Sequence, residues 1–193
     1  MKAMVLNEIC DLSENRTPLQ AVEMPDPEPG SGEIRIRIAA CGVCHTELDE
    51  IEGRTPPPRF PVVLGHEVAG RVDRLGPGVS SWKEGDRVGV GWIHSACGHC
   101  RYCKDGNENL CPGFKATGRD ADGGYAEYMV VPEGFAVRIP DAFSDAQAAP
   151  LMCAGAIGFR SLRLTKVENG KTLGLTGFGA SAHLVLQMAR HDY

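Results

Sequence analysis

The first ninety residues alternate short apolar stretches with Pro and Gly breaks, and that character changes near Ser144. Glu33-Ile34-Arg35-Ile36-Arg37-Ile38 alternates strictly between apolar and charged positions, which predicts a half-buried strand. Val62 to Arg74, Arg87 to Trp92 and Gly124 to Val131 are predicted as further strands. Pro25-Asp26-Pro27-Glu28-Pro29-Gly30 and Thr55-Pro56-Pro57-Pro58 are loops, because proline fixes φ and lacks a backbone donor. From Ser144 the pattern turns helical. Ser144 can cap a helix, Gln147 completes a capping box, and the Ala-rich segment predicts helix to about Leu164, with Pro150 and several glycines as soft points. Leu173-Gly174-Leu175-Thr176 reads as a short buried strand and Ala182 to Arg190 as a helix. No internal repeat or low-complexity tract is visible.

With 193 residues the chain has room for one sizeable core, or for one domain and part of a second. A net charge of -5, with no basic patch carrying interleaved aromatics, argues against nucleic acid as a partner. The start Met1-Lys2-Ala3-Met4-Val5 lacks the apolar stretch of a signal peptide. The longest run free of acidic, basic and histidine residues, Ala146 to Phe159, is too short to span a bilayer. These features predict a cytoplasmic protein without a membrane partner.

Cysteine changes the picture. Four of the eight cysteines form Cys97-x2-Cys100-x2-Cys103-x7-Cys111. Four thiolates in one loop match the closed tetrahedral ligation of a structural zinc, and Gly98 and Gly106 help the loop fold back on itself. Metal would replace the core that a lobe of residues 95–113 is too small to build. A disulfide pair, free thiols and an iron–sulfur cluster are the alternatives. Further on, Gly177-x-Gly179-x-x-Ala182 lies between the strand and helix predicted there. Glycines at such a turn let the backbone approach a pyrophosphate, and the helix start offers it free N–H groups, so Gly177, Gly179 and Ala182 are candidate cofactor-binding positions. An ordinary Gly-rich turn is the bland alternative.

Cys44, His66 and Cys153 are too far apart for spacing to unite them. Their surroundings are Cys41-Gly42-Val43-Cys44-His45-Thr46, Gly65-His66-Glu67-Val68-Ala69-Gly70-Arg71-Val72 and Ala149-Pro150-Leu151-Met152-Cys153-Ala154-Gly155. In this order, and with the four-cysteine lobe after the Gly-His-Glu segment, they resemble the zinc-dependent medium-chain alcohol dehydrogenases. The resemblance runs along the whole chain. It implies a mainly β GroES-like catalytic domain over residues 1–150. Residues 151–193 would follow as an interdomain helix and the first strand–loop–helix of an incomplete α/β Rossmann domain. It implies two zinc ions per chain, one in the lobe and one held by Cys44, His66 and Cys153, with Glu67 beside the second. It implies a small alcohol or aldehyde substrate, NAD or NADP as hydride carrier, and zinc as the Lewis acid.

The same resemblance gives Thr46 the hydroxyl that meets the substrate oxygen, with helix capping as its structural alternative. It sets His45 against the cofactor pyrophosphate, and Trp92 in the substrate pocket or, alternatively, in the core. Two positions depart from the family. Glu47 stands where Asp is common, and Asp49 stands at the end of the proton relay where His is frequent. These departures touch the relay and the surroundings of the metal rather than the ligands. The chain is expected to be cut within its cofactor domain and poorly active alone, with a full-length form that is a homo-oligomer. The competing expectations are a non-catalytic zinc-stabilised GroES-like binding module and one half of a split enzyme.

Overall fold

In the computed structural model, which describes residues 1–193, ten strands form three antiparallel sheets. In the first sheet, β1 (Lys2–Leu6) lies between β2 (Leu19–Glu23) and the two-residue β4 (Val62–Val63). The second has the order β10 (Ala136–Arg138), β6 (Arg87–Val90), β5 (Glu67–Leu75), β3 (Glu33–Gly42), β9 (Tyr128–Pro132). The third pairs β7 (Ile93–Ser95) with β8 (Lys115–Ala116). The strictly alternating segment is the start of β3, whose Ile34 and Ile36 are fully buried with Val68, Val88, Val90 and Val131. Fully burying one such side chain contributes about 1.5–3 kcal/mol, so this cluster is the main anchor of the β domain. Arg35 is also buried, against the half-strand alternation. Asp73 meets its guanidinium at 2.6 Å and the Tyr128 ring lies 5.1 Å from it.

Register carries the sequence toward function. Ile34 faces Leu75 and, after two irregularities, Gly42 faces Glu67. The end of β3 that leads into Cys44 is therefore set beside the start of β5, just after His66. The predicted strand from Val62 to Arg74 is broken at Leu64-Gly65-His66. Gly65 takes φ +98, and a Cβ there would come within 2.7 Å of the Tyr125 ring. The predicted strand from Gly124 is shorter than expected for a related reason. The N–H groups of Gly123, Gly124 and Tyr125 bond Val63, Gly65 and Leu64 carbonyls, so this segment laces the break in place before β9 begins. The strand predicted to Trp92 ends at Val90, where the chain turns into β7.

The predicted long helix is two helices. Its start forms as expected: Ser144 Oγ accepts from Gln147 N–H at 3.3 Å, and Gln147 Oε1 accepts from Ser144 N–H at 2.9 Å. Before it come α1 (His45–Ile51) and α2 (Arg101–Lys104), and the helix it opens is α3 (Asp145–Ala148). A tighter 3-10 turn follows over Ala149–Met152, and α4 (Ala154–Thr165) begins only after Cys153. Pro150 accounts for the break, since it lacks the N–H that an uninterrupted helix would use there. Leu173 to Thr176 form no strand, because they pair with none of the sheets. The last helix, α5 (Ala180–Asp192), extends two residues further at each end than the predicted one. It packs on α4 through buried Val185, whose Cγ2 would lie 2.9 Å from a Cβ at Gly158. No helix is long and apolar enough to cross a membrane.

Gly70 of β5 stands directly against the backbone of β3. A Cβ there would sit 2.4 Å from the Arg37 carbonyl oxygen. Backbone cannot swing aside as a side chain can, so Gly70→Ala is expected to destabilise the fold by about 2 kcal/mol. The thermal midpoint should fall by roughly 4–8 °C. An unchanged midpoint would mean that the sheet absorbs the methyl without strain.

Candidate metal centres

Three distant segments converge at the first centre. Cys44 precedes α1, and Glu47 Oε2 accepts its N–H at 2.8 Å. The other oxygen, Oε1, lies 2.6 Å from His66 Nδ1, and both side chains are almost wholly buried. Neither atom makes a well-formed hydrogen bond, so this is a close ion-pair contact that turns Nδ1 toward Glu47. With Nδ1 held toward Glu47, Nε2 is the nitrogen placed to meet a metal, and it too is buried without a well-formed hydrogen bond. The break before Cys153 brings its sulfur 4.0 Å from that of Cys44. Ligand atoms of Cys44, His66, Glu67 and Cys153 all lie within 4.8 Å of one another. Tetrahedral zinc bound by sulfur and nitrogen spaces its ligands roughly 3.3–3.8 Å apart, so small adjustments would close the set. Gly42 makes room for Glu67, since a Cβ at that position would lie 1.9 Å from Glu67 Oε2.

The electrostatics point the same way. The adjoining Cys153 and His66 side chains pull the Cys44 thiol down to about 3. The Cys44 thiolate, with burial, pushes Cys153 far up. Burial alone would lower His66, but Cys44 and Glu47 reverse this and raise it to about 10. Burial, then the Cys44 charge, raises Glu67 to about 7. Thiolate and carboxylate charge thus gather around the buried His66 imidazole, an arrangement that a divalent cation suits.

The remaining candidates surround this centre unevenly. Thr46 Oγ1 is 3.5 Å from Cys44 Sγ. Trp92 presents its ring edge-on to His66 with centroids 5.0 Å apart, so it flanks the cluster. His45 is exposed, with Nε2 3.8 Å from Asp49 Oδ1. Asp49 is drawn outward, its Oδ1 2.5 Å from Arg54 Nε. Sequence reasoning passed over Glu50. It is fully buried, neither oxygen has a hydrogen bond, and burial followed by the nearby Glu47 charge raises it to about 8. The signal was its spacing from Glu47, which sets both on the inward face of α1.

Cys97, Cys100, Cys103 and Cys111 form the second cluster, again with all ligand atoms within 4.8 Å. No cysteine is in a disulfide. N–H groups of Cys97 and Gly113 approach Cys111 Sγ at 3.4 and 3.3 Å, and Cys100 N–H approaches Cys97 Sγ at 3.4 Å. Backbone N–H groups of His99 and Cys100 pull Cys97 down to about 6. Such donors stabilise thiolates, the form that binds metal. At the far end, Gly177 has φ +77 and Gly179 is the N-cap of α5, with open space where a Cβ would stand on either glycine. Ala182 lies in the first turn of α5, whose N-terminus has no side-chain cap.

Comparison with known proteins agrees with this geometry. The family pattern described as "Alcohol dehydrogenase GroES-like domain" matches residues 30–141. The chain is 48% identical over 177 residues to a probable alcohol dehydrogenase, AdhA, of Mycobacterium tuberculosis, covering 89% of this chain and 51% of that protein. Among solved structures, it resembles the cobalt- and zinc-bound thermostable alcohol dehydrogenase of Pyrobaculum aerophilum. That match has a TM-score of 0.89 and 30% identity, over 99% of this chain and 56% of that one. It also resembles a Helicobacter pylori protein solved with NADP(H), named CAD, with a TM-score of 0.88 and 26% identity, over 98% of this chain and 56% of that one. The chain belongs to the zinc-type medium-chain alcohol dehydrogenase family and has its GroES-like domain. It spans about half the length of the relatives it matches.

Proposed function

We propose that this chain is the catalytic part of a zinc-dependent alcohol dehydrogenase, which oxidises a small alcohol to an aldehyde or ketone by hydride transfer to NAD or NADP. The observation that carries this reading is the convergence of Cys44, His66, Glu67 and Cys153, with the buried His66 ring nitrogens making no well-formed hydrogen bond. Cys44, His66 and Cys153 would hold a zinc that supplies Lewis acidity toward the substrate oxygen, with Glu67 beside it. Thr46, next to the Cys44 sulfur, would position the substrate hydroxyl. Trp92 forms one wall and narrows the space to small substrates. His45, Gly177, Gly179 and Ala182 would face the cofactor. Asp49 would receive a proton at the surface only after its ion pair with Arg54 loosens. Cys97, Cys100, Cys103 and Cys111 would hold a second, purely structural zinc. In this reading, residues 1–150 are the GroES-like domain and residues 151–193 begin the dinucleotide-binding domain. The names of the zinc-bound and NADP(H)-complexed relatives support the metal and the cofactor class.

Replacing zinc by cobalt tests the open site without requiring turnover. Cobalt at the first centre should show visible bands that shift when imidazole is added, because three protein ligands leave a position free. Cobalt in the lobe should not respond. Cys153→Ser should abolish the responsive bands and spare the others. Two unresponsive centres in the unaltered chain would contradict the reading.

A further inference from the structure

Arg119 places a positive charge beside the first metal centre that the reading above does not use. Thr117, fully buried, donates its hydroxyl to the Gly91 carbonyl at 2.8 Å and its N–H to the Trp92 carbonyl at 2.9 Å. The loop after β8 is therefore stitched to the backbone of Trp92. This brings the Arg119 guanidinium over the Trp92 ring, with Cζ 5.5 Å from the centroid, while the same ring meets His66 edge-on. One indole thus separates the cation from a candidate metal ligand. Asp120 Oδ2 accepts from Arg119 Nε at 3.1 Å and Nη2 at 2.7 Å, and also from Ala116 N–H at 2.7 Å. The guanidinium is fixed from two sides, by the indole and by Asp120. Its Nη1 makes no hydrogen bond within the protein, and the side chain is 26% exposed. Asp120 takes the Nε and Nη2 side, so a carboxylate would meet the remaining Nη1 side as a second acceptor on the same guanidinium, whose five donors can serve both.

We propose that Arg119 is a specificity-determining residue, selecting alcohols or aldehydes that carry a carboxylate at the end opposite the reacting oxygen. This rests on Cys44, His66 and Cys153 holding an open metal. The substrate oxygen sits at the metal, its carbon spacer passes along Trp92, and its anionic end meets the free edge of Arg119.

The test uses the cobalt-loaded chain and thiols as ligands for the open position, read by the shift of the visible bands. A series of ω-mercaptocarboxylates is titrated against ω-mercaptoalcohols of equal length. At one chain length the carboxylate should bind about tenfold more tightly, the gain of a charge-assisted hydrogen bond. Arg119→Leu should abolish that preference and Arg119→Lys should keep part of it, with an unchanged circular dichroism spectrum and an unchanged imidazole response at the first centre showing that each variant is folded. Equal binding of the two series at every length by the unaltered chain would overturn the proposal, whatever the variants do. So would a preference that persists in Arg119→Leu. If no thiol of either series shifts the bands, the open metal site itself fails, and this inference falls with it.

Discussion

Replacing Cys100 and Cys103 together by serine is expected to halve the zinc content of the chain and unfold residues 95–113, leaving the five-stranded sheet intact. Between Cys97 and Gly113 only Cys111 is buried, and no hydrophobic cluster includes a residue of the lobe. Its helix α2 spans four residues, too few to persist alone. What remains is the sulfur cluster with its N–H donors. A structural zinc site contributes on the order of 10–16 kcal/mol of apparent binding free energy, far more than the single buried side chain could. Elemental analysis reads the lost metal. Hydrogen exchange at Cys97, Cys100 and Gly113, whose N–H groups point at sulfur, reads the lost structure. The release should also reach the first centre, because Phe114 packs on Trp92 with ring centroids 6.4 Å apart, and tryptophan fluorescence should report it. A double variant that keeps both zinc ions and its exchange protection would show that the lobe is not built by metal.

That lobe was legible in the sequence because its ligands are local: the spacing of four cysteines carries the whole signal. The strand at Glu33 was legible for a similar reason, since period two is a local property. The first centre was different. Nothing near Cys44 specifies His66, and the two meet only because Gly42 is opposite Glu67 across β3 and β5. A resemblance to a family can suggest that pairing, but local pattern cannot derive it. The errors share a cause as well. The strand at Val62 breaks at Gly65, and the helix from Ser144 gives way after Ala148 to the 3-10 turn that holds Pro150. Each break is where the chain turns a candidate ligand, His66 or Cys153, toward the cluster. Average propensity reads through such breaks, because tertiary contacts, here the lacing by Gly123 to Tyr125, hold a conformation that the local sequence only permits. Leu173 to Thr176 failed for the opposite reason: an apolar run becomes a strand only with a partner, and none pairs with it. Glu50 escaped notice because a charged residue is ordinarily assigned to a surface.

Glu47 is expected to matter to the first centre nearly as much as the ligands do. Its Oε2 accepts from Cys44 N–H at 2.8 Å, and its Oε1 lies 2.6 Å from His66 Nδ1 as an ion-pair contact. One carboxylate therefore fixes the entry of α1 and the position of one candidate ligand, and lies against the ring of another. Glu47→Ala should weaken zinc binding at this centre about 10–100-fold, the usual cost of losing a partner that orients a ligand histidine. Glu47→Gln is the sharper test. It is nearly the same size, but its amide NH2 must face one of the two donors, so it should be almost as damaging as alanine. Glu47→Asp keeps two acceptors and loses one methylene. It should retain more affinity than either, although it cannot span both donors without moving α1. The order is read by competition with a chromophoric chelator, with the lobe zinc as the internal control. If Glu47→Gln binds zinc at the first centre as tightly as the unaltered chain, the carboxylate does not orient His66. The buried contact between them would then be packing alone.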